Sequence, residues 1–214
     1  MAYRRSPLMQ ERLADNRMRI LRAARTLVAR GGFREASIAA VAREVGLSIG
    51  AIYRYFPSKA ELFVELLTAA VDHECAVLQA VIARPGPASA RLRAAVESFA
   101  VRALKGPHRA YAFMVEPADT EVEATRILCK RQFSAVFEGV IREGVRNGEL
   151  PAQQPAVTAA CIVGAFTEAL VGSIAPRAAS PRKASEARLV KEIADACLRA
   201  AGHGVGARRR PPKR

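Results

Sequence analysis

The sequence predicts an all-α fold: an N-terminal three-helix helix-turn-helix domain followed by a larger C-terminal helical domain, about nine helices in all. Two observations carry most of this expectation. Apolar residues recur at helical spacing along nearly the whole chain, with no convincing run of strand alternation. Two short helical segments also meet at a tight glycine turn, "SIAAVAREVGLSIGAIYRYF" (37–56).

Taken in order, Ile20, Leu21, Ala24, Leu27 and Val28 mark one face of a first helix over 10–30, with arginines on the other and Gly31-Gly32 to end it. Ser37 is placed to cap a short second helix whose inward stripe is Ile38, Val41, Ala42 and Val45. Gly46 breaks that helix, Ser48 caps a third, and Pro57 stops it. A long fourth helix over 58–82 carries Leu62, Phe63, Leu66, Leu67, Ala70, Cys75 and Leu78 inward. After the loop "RPGPAS", a fifth helix (89–105) presents Leu92, Val96, Phe99, Ala100 and Ala103. A short sixth carries "YAFMV" (111–115), and a seventh (120–147) carries Ile127, Phe133, Phe137, Val140 and Ile141. The eighth spans 154–174 and the ninth 185–201, the latter with Leu189, Ile193, Cys197 and Leu198 inward. The expected division is a head over 1–58, a helical body over 59–202 and a disordered basic tail over 203–214.

Composition narrows the function classes. The chain is 50% hydrophobic with a net charge of +14, enough apolar residues for a core and a balance that suits a polyanionic partner. The excess is not spread evenly. Residues 1–60 hold 12 Lys/Arg against 4 Asp/Glu, 61–202 hold 17 against 16, and 203–214 hold 5 against none. Four cysteines (Cys75, Cys129, Cys161, Cys197) stand far apart in apolar helical stretches, where each reads as a small buried hydrophobe rather than a disulfide or metal ligand. The stretch 156–175 is long enough to cross a bilayer, but Glu168 in mid-span would cost about 2.5–3.5 kcal/mol on insertion. The first residues hold no apolar signal core. A soluble, cytoplasmic chain is expected, with no membrane partner. No HExxH, phosphate-loop or GxGxxG pattern occurs, and His73-Glu74-Cys75 lacks ligand spacing. The expectation is a non-enzyme with no catalytic residues, no metal and no cofactor.

The third helix bears on the polyanion. On a wheel at 100° per residue, setting Ile52 inward places Phe56 about 40° away, also inward. Gly50 falls at about 160° and Arg54 at about 200°, both directly outward, with Ala51 and Tyr53 flanking them. Small residues in the first turn let the backbone approach a surface, and one turn later a planar cation reaches a guanine edge or a phosphate. The amide ends of the helices at Ser37 and Ser48 suit phosphate oxygens. This face fits the major groove of DNA.

The segment "GGFREASIAAVAREVGLSIGAIYRYFPSKAELFVELL" (31–67) resembles the DNA-binding signature of TetR-family transcriptional repressors. The Gly-Phe after the first helix, the hydroxyl before the second, the "VGLSIGAIYRYF" core and the lysine opening the fourth all match; with the first helix, the likeness covers 12–67. It implies that Ser37, Ser48, Tyr53 and Lys59 contact phosphates, that Ile49, Ala51 and Arg54 face bases or the groove, and that Gly50 permits the approach. Tyr55 stands where the family often has His or Tyr, near the DNA backbone. Ile49 departs from the family's frequent polar or basic residue: either it meets an apolar group such as a thymine methyl, or it packs within the head.

For the body, the resemblance implies a homodimer through the last two helices, a palindromic double-stranded DNA operator and a small-molecule effector. Helix 8 is too apolar to leave exposed and carries small residues: either it is the central core helix of one chain, or it pairs two copies, and the expected interface is then Ala160, Gly164, Ala165, Glu168, Val171, Ile193 and Cys197. A pocket is expected among Phe99, Tyr111, Met114, Phe133, Phe137 and Phe166, with Arg102 and His108 as polar contacts, which suits a hydrophobic effector; core packing explains the same aromatics. The rival reading, from charge alone, is a basic protein that coats DNA or a membrane surface without sequence preference. The tail "ARRRPPKR" either stays solvated or adds such non-specific affinity.

Overall fold

The computed structural model describes residues 7–176 and 183–204. Among them are nine helices and no strand: α1 (Pro7–Gly31), α2 (Ile38–Val45), α3 (Ile49–Tyr53), α4 (Lys59–Ile82), α5 (Ala88–Lys105), α6 (Pro107–Met114), α7 (Thr120–Arg146), α8 (Pro155–Ile174) and α9 (Lys183–Ala200). Two differences in extent have local causes. Pro107 sits at the start of α6 with its φ already helical, so the helix begins four residues before the apolar run at 111. The α3 hydrogen bonding loosens after Tyr53, where Tyr55 N–H reaches Ile52 O at 2.9 Å. The spiral still carries Phe56 N–H to Ile52 O at 3.0 Å, so Phe56 is buried as expected. The basic run from 205 lies outside the described residues.

The helices pack as two compact units. The first consists of the chain up to Ala70 together with Gly106–Arg126; the second holds Val71–Lys105 and the chain from Ile127. In the first, Ile20, Ala24 and Val28 of α1 are buried along with Ile38 and Val41 of α2, Ile52, Phe56, and Leu62 and Phe63 of α4. Phe33, just after α1, stacks on Phe63 at 4.3 Å between centroids and tilts against Phe113 of α6 at 5.8 Å. Glu116, just past α6, accepts the Phe33 N–H at 2.8 Å and the Arg34 N–H at 3.2 Å, tying off the turn between α1 and α2. A side chain at Gly32 would run into that carboxylate, 2.4 Å from where its Cβ would stand.

Arg126 completes this corner. It is the buried charged residue of the described chain, 7% exposed, and donates to Ala112 O at 2.7 Å, Phe113 O at 3.1 Å and Glu116 O at 2.5 Å. Those carbonyls close α6 and have no partner further along their own helix, so the guanidinium supplies it. Its charge is balanced by Glu123 at 2.5 Å. Arg126 thus takes the inward position that the sequence pattern gives to its neighbour. Ile127, expected inside, is 59% exposed.

In the second unit α5 lies against both α8 and α9, which also touch each other. Phe99 meets Phe133 edge-on at 5.6 Å and Phe166 at 4.7 Å, and Phe137 meets Phe166 at 5.6 Å. Ion pairs tie the helices together: Arg91 to Glu143 and Arg93 to Asp195, each at 2.5 Å. The Glu149 carboxylate accepts the Ala88 N–H at 2.6 Å, closing the start of α5 from a distance in sequence. Three of the cysteines are buried as expected, and burial pushes the Cys75 and Cys197 thiols up to about 11, so both stay neutral apolar fillers. Cys161 departs from the expectation: it is exposed on α8.

Replacing Arg126 by leucine keeps the stem's volume and strips three carbonyls of their donor. The expected cost is about 2–4 kcal/mol of folding stability, read by urea denaturation.

Candidate nucleic-acid interface

The turn between α2 and α3 is built from local chemistry. Ser37 Oγ accepts the Ala40 N–H at 3.2 Å, which starts α2. Gly46 takes the left-handed conformation at φ 71°; its N–H reaches Arg43 O at 3.3 Å and the Leu47 N–H reaches Ala42 O at 2.9 Å. This pair of bonds is the Schellman closure that glycine favours. Two residues later Ser48 Oγ accepts the Ala51 N–H at 3.1 Å, and α3 begins.

The orientation expected from the wheel holds. Ile52 and Phe56 are buried, Gly50 and Arg54 are exposed, Ala51 is half-buried, and Tyr53 is 45% exposed. Arg54 pairs with no carboxylate among the described residues, which leaves its guanidinium available. Lys59, exposed at the start of α4, holds its ammonium 5.1 Å from the Phe63 ring centroid. Ile49 is 49% exposed and so lies outside the buried core of the head. Tyr55 is half-buried, and its hydroxyl accepts from Asn16 Nδ2 at 3.2 Å.

Asn16 belongs to a group on α1 that the sequence pattern did not reveal. Arg17 forms a two-pronged ion pair with Glu65 of α4 and lies 4.7 Å over the Phe56 ring. Arg19 donates to Val45 O at the end of α2 and to Asn16 Oδ1, both at 3.0 Å. These side chains hold α2 and the end of α3 against α1. Their partners lie 26 to 48 residues away, apart from the Arg19–Asn16 bond, so no short spacing announces them.

The other expected sites are placed less simply. Of the eight residues expected around a ligand, Phe99, Arg102, Phe133, Phe137 and Phe166 belong to the second unit, whereas His108, Tyr111 and Met114 belong to the first. Arg102 is committed to Glu74, with Nε donating to Oε2 at 2.8 Å. A cleft of about 380 Å³ opens in the first unit, lined by Arg17, Phe56, Glu61, Val64, Glu65, Glu121 and Thr125, none of them among the eight. On α8, Ala160, Gly164, Ala165 and Glu168 are exposed and Val171 is half-buried. Ile193 and Cys197 do not join them: both are buried within the single chain, Cys197 Sγ lying 4.0 Å from Ile162 O. They fill the core of the body and offer no surface to a second copy.

The closed glycine turn, the two serine caps and the outward face of α3 define a helix-turn-helix protein. Residues 20–66 match the family model of bacterial regulatory proteins, tetR family, and residues 85–170 match that of the tetracyclin repressor-like C-terminal domain. The chain belongs to the TetR family. Over 154 residues it is 29% identical to the HTH-type transcriptional repressor KstR of Mycobacterium tuberculosis, a match that spans 67% of this chain and 64% of that relative, just under two thirds of its length. The fold is similar to that of the transcriptional regulator FadR from Bacillus subtilis, solved in complex with stearoyl-CoA: TM-score 0.69, 16% identity, 88% of this chain and 99% of that one covered. It is also similar to RolR, solved with resorcinol: TM-score 0.70, 17% identity, 95% and 98% covered.

Gly46 and Gly50 should respond oppositely to alanine. At Gly46 the left-handed backbone strains any side chain, and a loss of about 1–2 kcal/mol is expected. At Gly50, φ is not positive and an added Cβ meets nothing within 4 Å. Gly50→Ala should therefore gain about 0.5–1 kcal/mol. Thermal melts of the two variants beside the parent chain check both signs.

Proposed function

We propose that this chain is a homodimeric transcriptional repressor, acting in the cytoplasm, that binds a palindromic operator through α2 and α3 and is released by a small hydrophobic effector. The observation that carries the reading is the outward face of α3. Its cation, Arg54, has no internal partner among the described residues, and it stands one turn after a glycine that leaves room for close approach. In this reading Ser37, Ser48, Tyr53 and Lys59 hold phosphates while Arg54 reaches a base edge. The functional head covers 1–58, the ligand-binding and dimerisation body 59–202, and the basic tail 203–214.

One such head reads only a few base pairs, so two are needed for a specific site. The exposed face of α8 supports the pairing. Gly164 and Gly172 lie on it, and nothing among the described residues outside their own helix stands within 4 Å of where either Cβ would be. Glycine inside a helix weakens it, and here nothing internal requires it; a second helix lying close does. The interface would be Ala160, Gly164, Ala165 and Glu168, with Val171 at its edge, and Ile193 and Cys197 left out.

Support for a hydrophobic effector comes from the aromatic cluster of the second unit and from relatives solved with an acyl-CoA and with a small phenol. An effector that prefers the conformation with mis-spaced heads weakens operator binding by its differential affinity, typically about 1–3 kcal/mol. The lever would be α4, whose residues divide between the two units.

A footprint on DNA flanking the chain's own gene, beside Arg54→Ala, tests the reading. A discrete protected palindrome is expected, weakened in the variant by about 1–3 kcal/mol, or roughly five- to 150-fold. Uniform, salt-sensitive coating that ignores the substitution would favour a non-specific basic protein and remove the repressor reading. For the pairing, Ala165→Glu places a charge in the interface. It should turn a dimer into a monomer in analytical ultracentrifugation and reduce operator affinity without lowering the melting temperature of the isolated chain.

A further inference from the structure

Ile49, Gly50 and Ala51 form the first turn of α3, and none of the three has a side-chain polar atom. Ile49 and Gly50 each have an oddity that the interior of the chain does not explain. Ile49 keeps half its surface in water although the head has a well-filled apolar core. Gly50 is exposed and has neither the backbone angle nor the crowding that calls for glycine. Ala51 is half-buried and lets the same turn sit flat against whatever covers it. Together they present a close-approach backbone edged by one branched aliphatic side chain, at the end of the reading helix that meets base edges.

Such a surface offers no side-chain donor or acceptor, so it discriminates by shape and polarity. In the major groove the amino groups of adenine and cytosine and the acceptors of guanine would be stripped of water there without a partner. The thymine 5-methyl group is the one base-edge feature that gains from an aliphatic neighbour. We infer that Ile49 is a specificity-determining residue that selects thymine at one position of each operator half-site by packing on its methyl group, with Gly50 setting the depth of approach. This rests on the operator-binding reading above, and extends it from the residue that anchors the complex to one that chooses the sequence.

The test begins with the purified full chain and a pool of random double-stranded DNA, from which the bound sequence is enriched. The enriched operator is then resynthesised with deoxyuridine replacing thymine, one position of the half-site at a time. Uracil keeps the pairing and the hydrogen-bonding edge and lacks only the methyl. One position is expected at which uracil weakens binding about three- to fivefold per half-site. Ile49→Ala, with an unchanged melting temperature, should bind the thymine and uracil forms equally at that position. An operator without thymine, uracil tolerated at every position, or discrimination that survives Ile49→Ala would each overturn the inference while leaving the repressor reading in place. A pool that enriches no sequence would remove that reading itself, and this inference with it.

Discussion

A chain built from helices alone has many helix ends, and each leaves backbone groups that some partner must meet. This constraint organises the molecule more than any single apolar contact does. Ser37, Ser48 and Ser58 meet the starts of α2, α3 and α4, each from within three residues. Glu149 meets the start of α5 from 61 residues away. At the C-terminal ends, Arg19 serves α2 and Arg126 serves α6. The local caps fix where helices begin, and the distant ones fix which helices lie together. In the first unit the two kinds join: Glu116 gives its carboxylate to the turn after α1 and its carbonyl to Arg126.

The same distinction separates what the sequence made legible from what it did not. The position of α2 could be read because everything that defines it is local: a serine before it, an apolar stripe at 38, 41, 42 and 45, and a glycine after it. Arg126 could not, since its three acceptors are carbonyls, which every residue has, brought within reach by where α6 ends. Missing that arginine is also what misplaced Ile127. An apolar residue beside a cation is ordinarily the inward one, and the rule fails where the cation is needed inside.

Ile193 and Cys197 illustrate a second limit. Periodicity says that a position is shielded from water without saying by what. Both were expected against a second copy, and both are buried within their own chain, Cys197 against α8. The exposed face of α8 was legible for a different reason, being too rich in small residues and too poor in charge for an ordinary solvent face. Phe99, Phe133, Phe137 and Phe166 were legible as a cluster in the same way, because buried aromatics gather with one another. Whether a cluster serves packing or a ligand lies beyond the reach of spacing.

The depth of Arg126 also separates two electrostatic regimes within the first unit. Its guanidinium faces carbonyl dipoles at short range and is shut off from solvent, so mobile ions have little access to that field. The cations around α3 lie open to solvent, where dissolved ions screen them and compete for any polyanion they hold. Rising ionic strength therefore acts on the outer layer and spares the inner one. A polyanion would be shed from an intact, still folded head, ready to bind again once the salt is diluted.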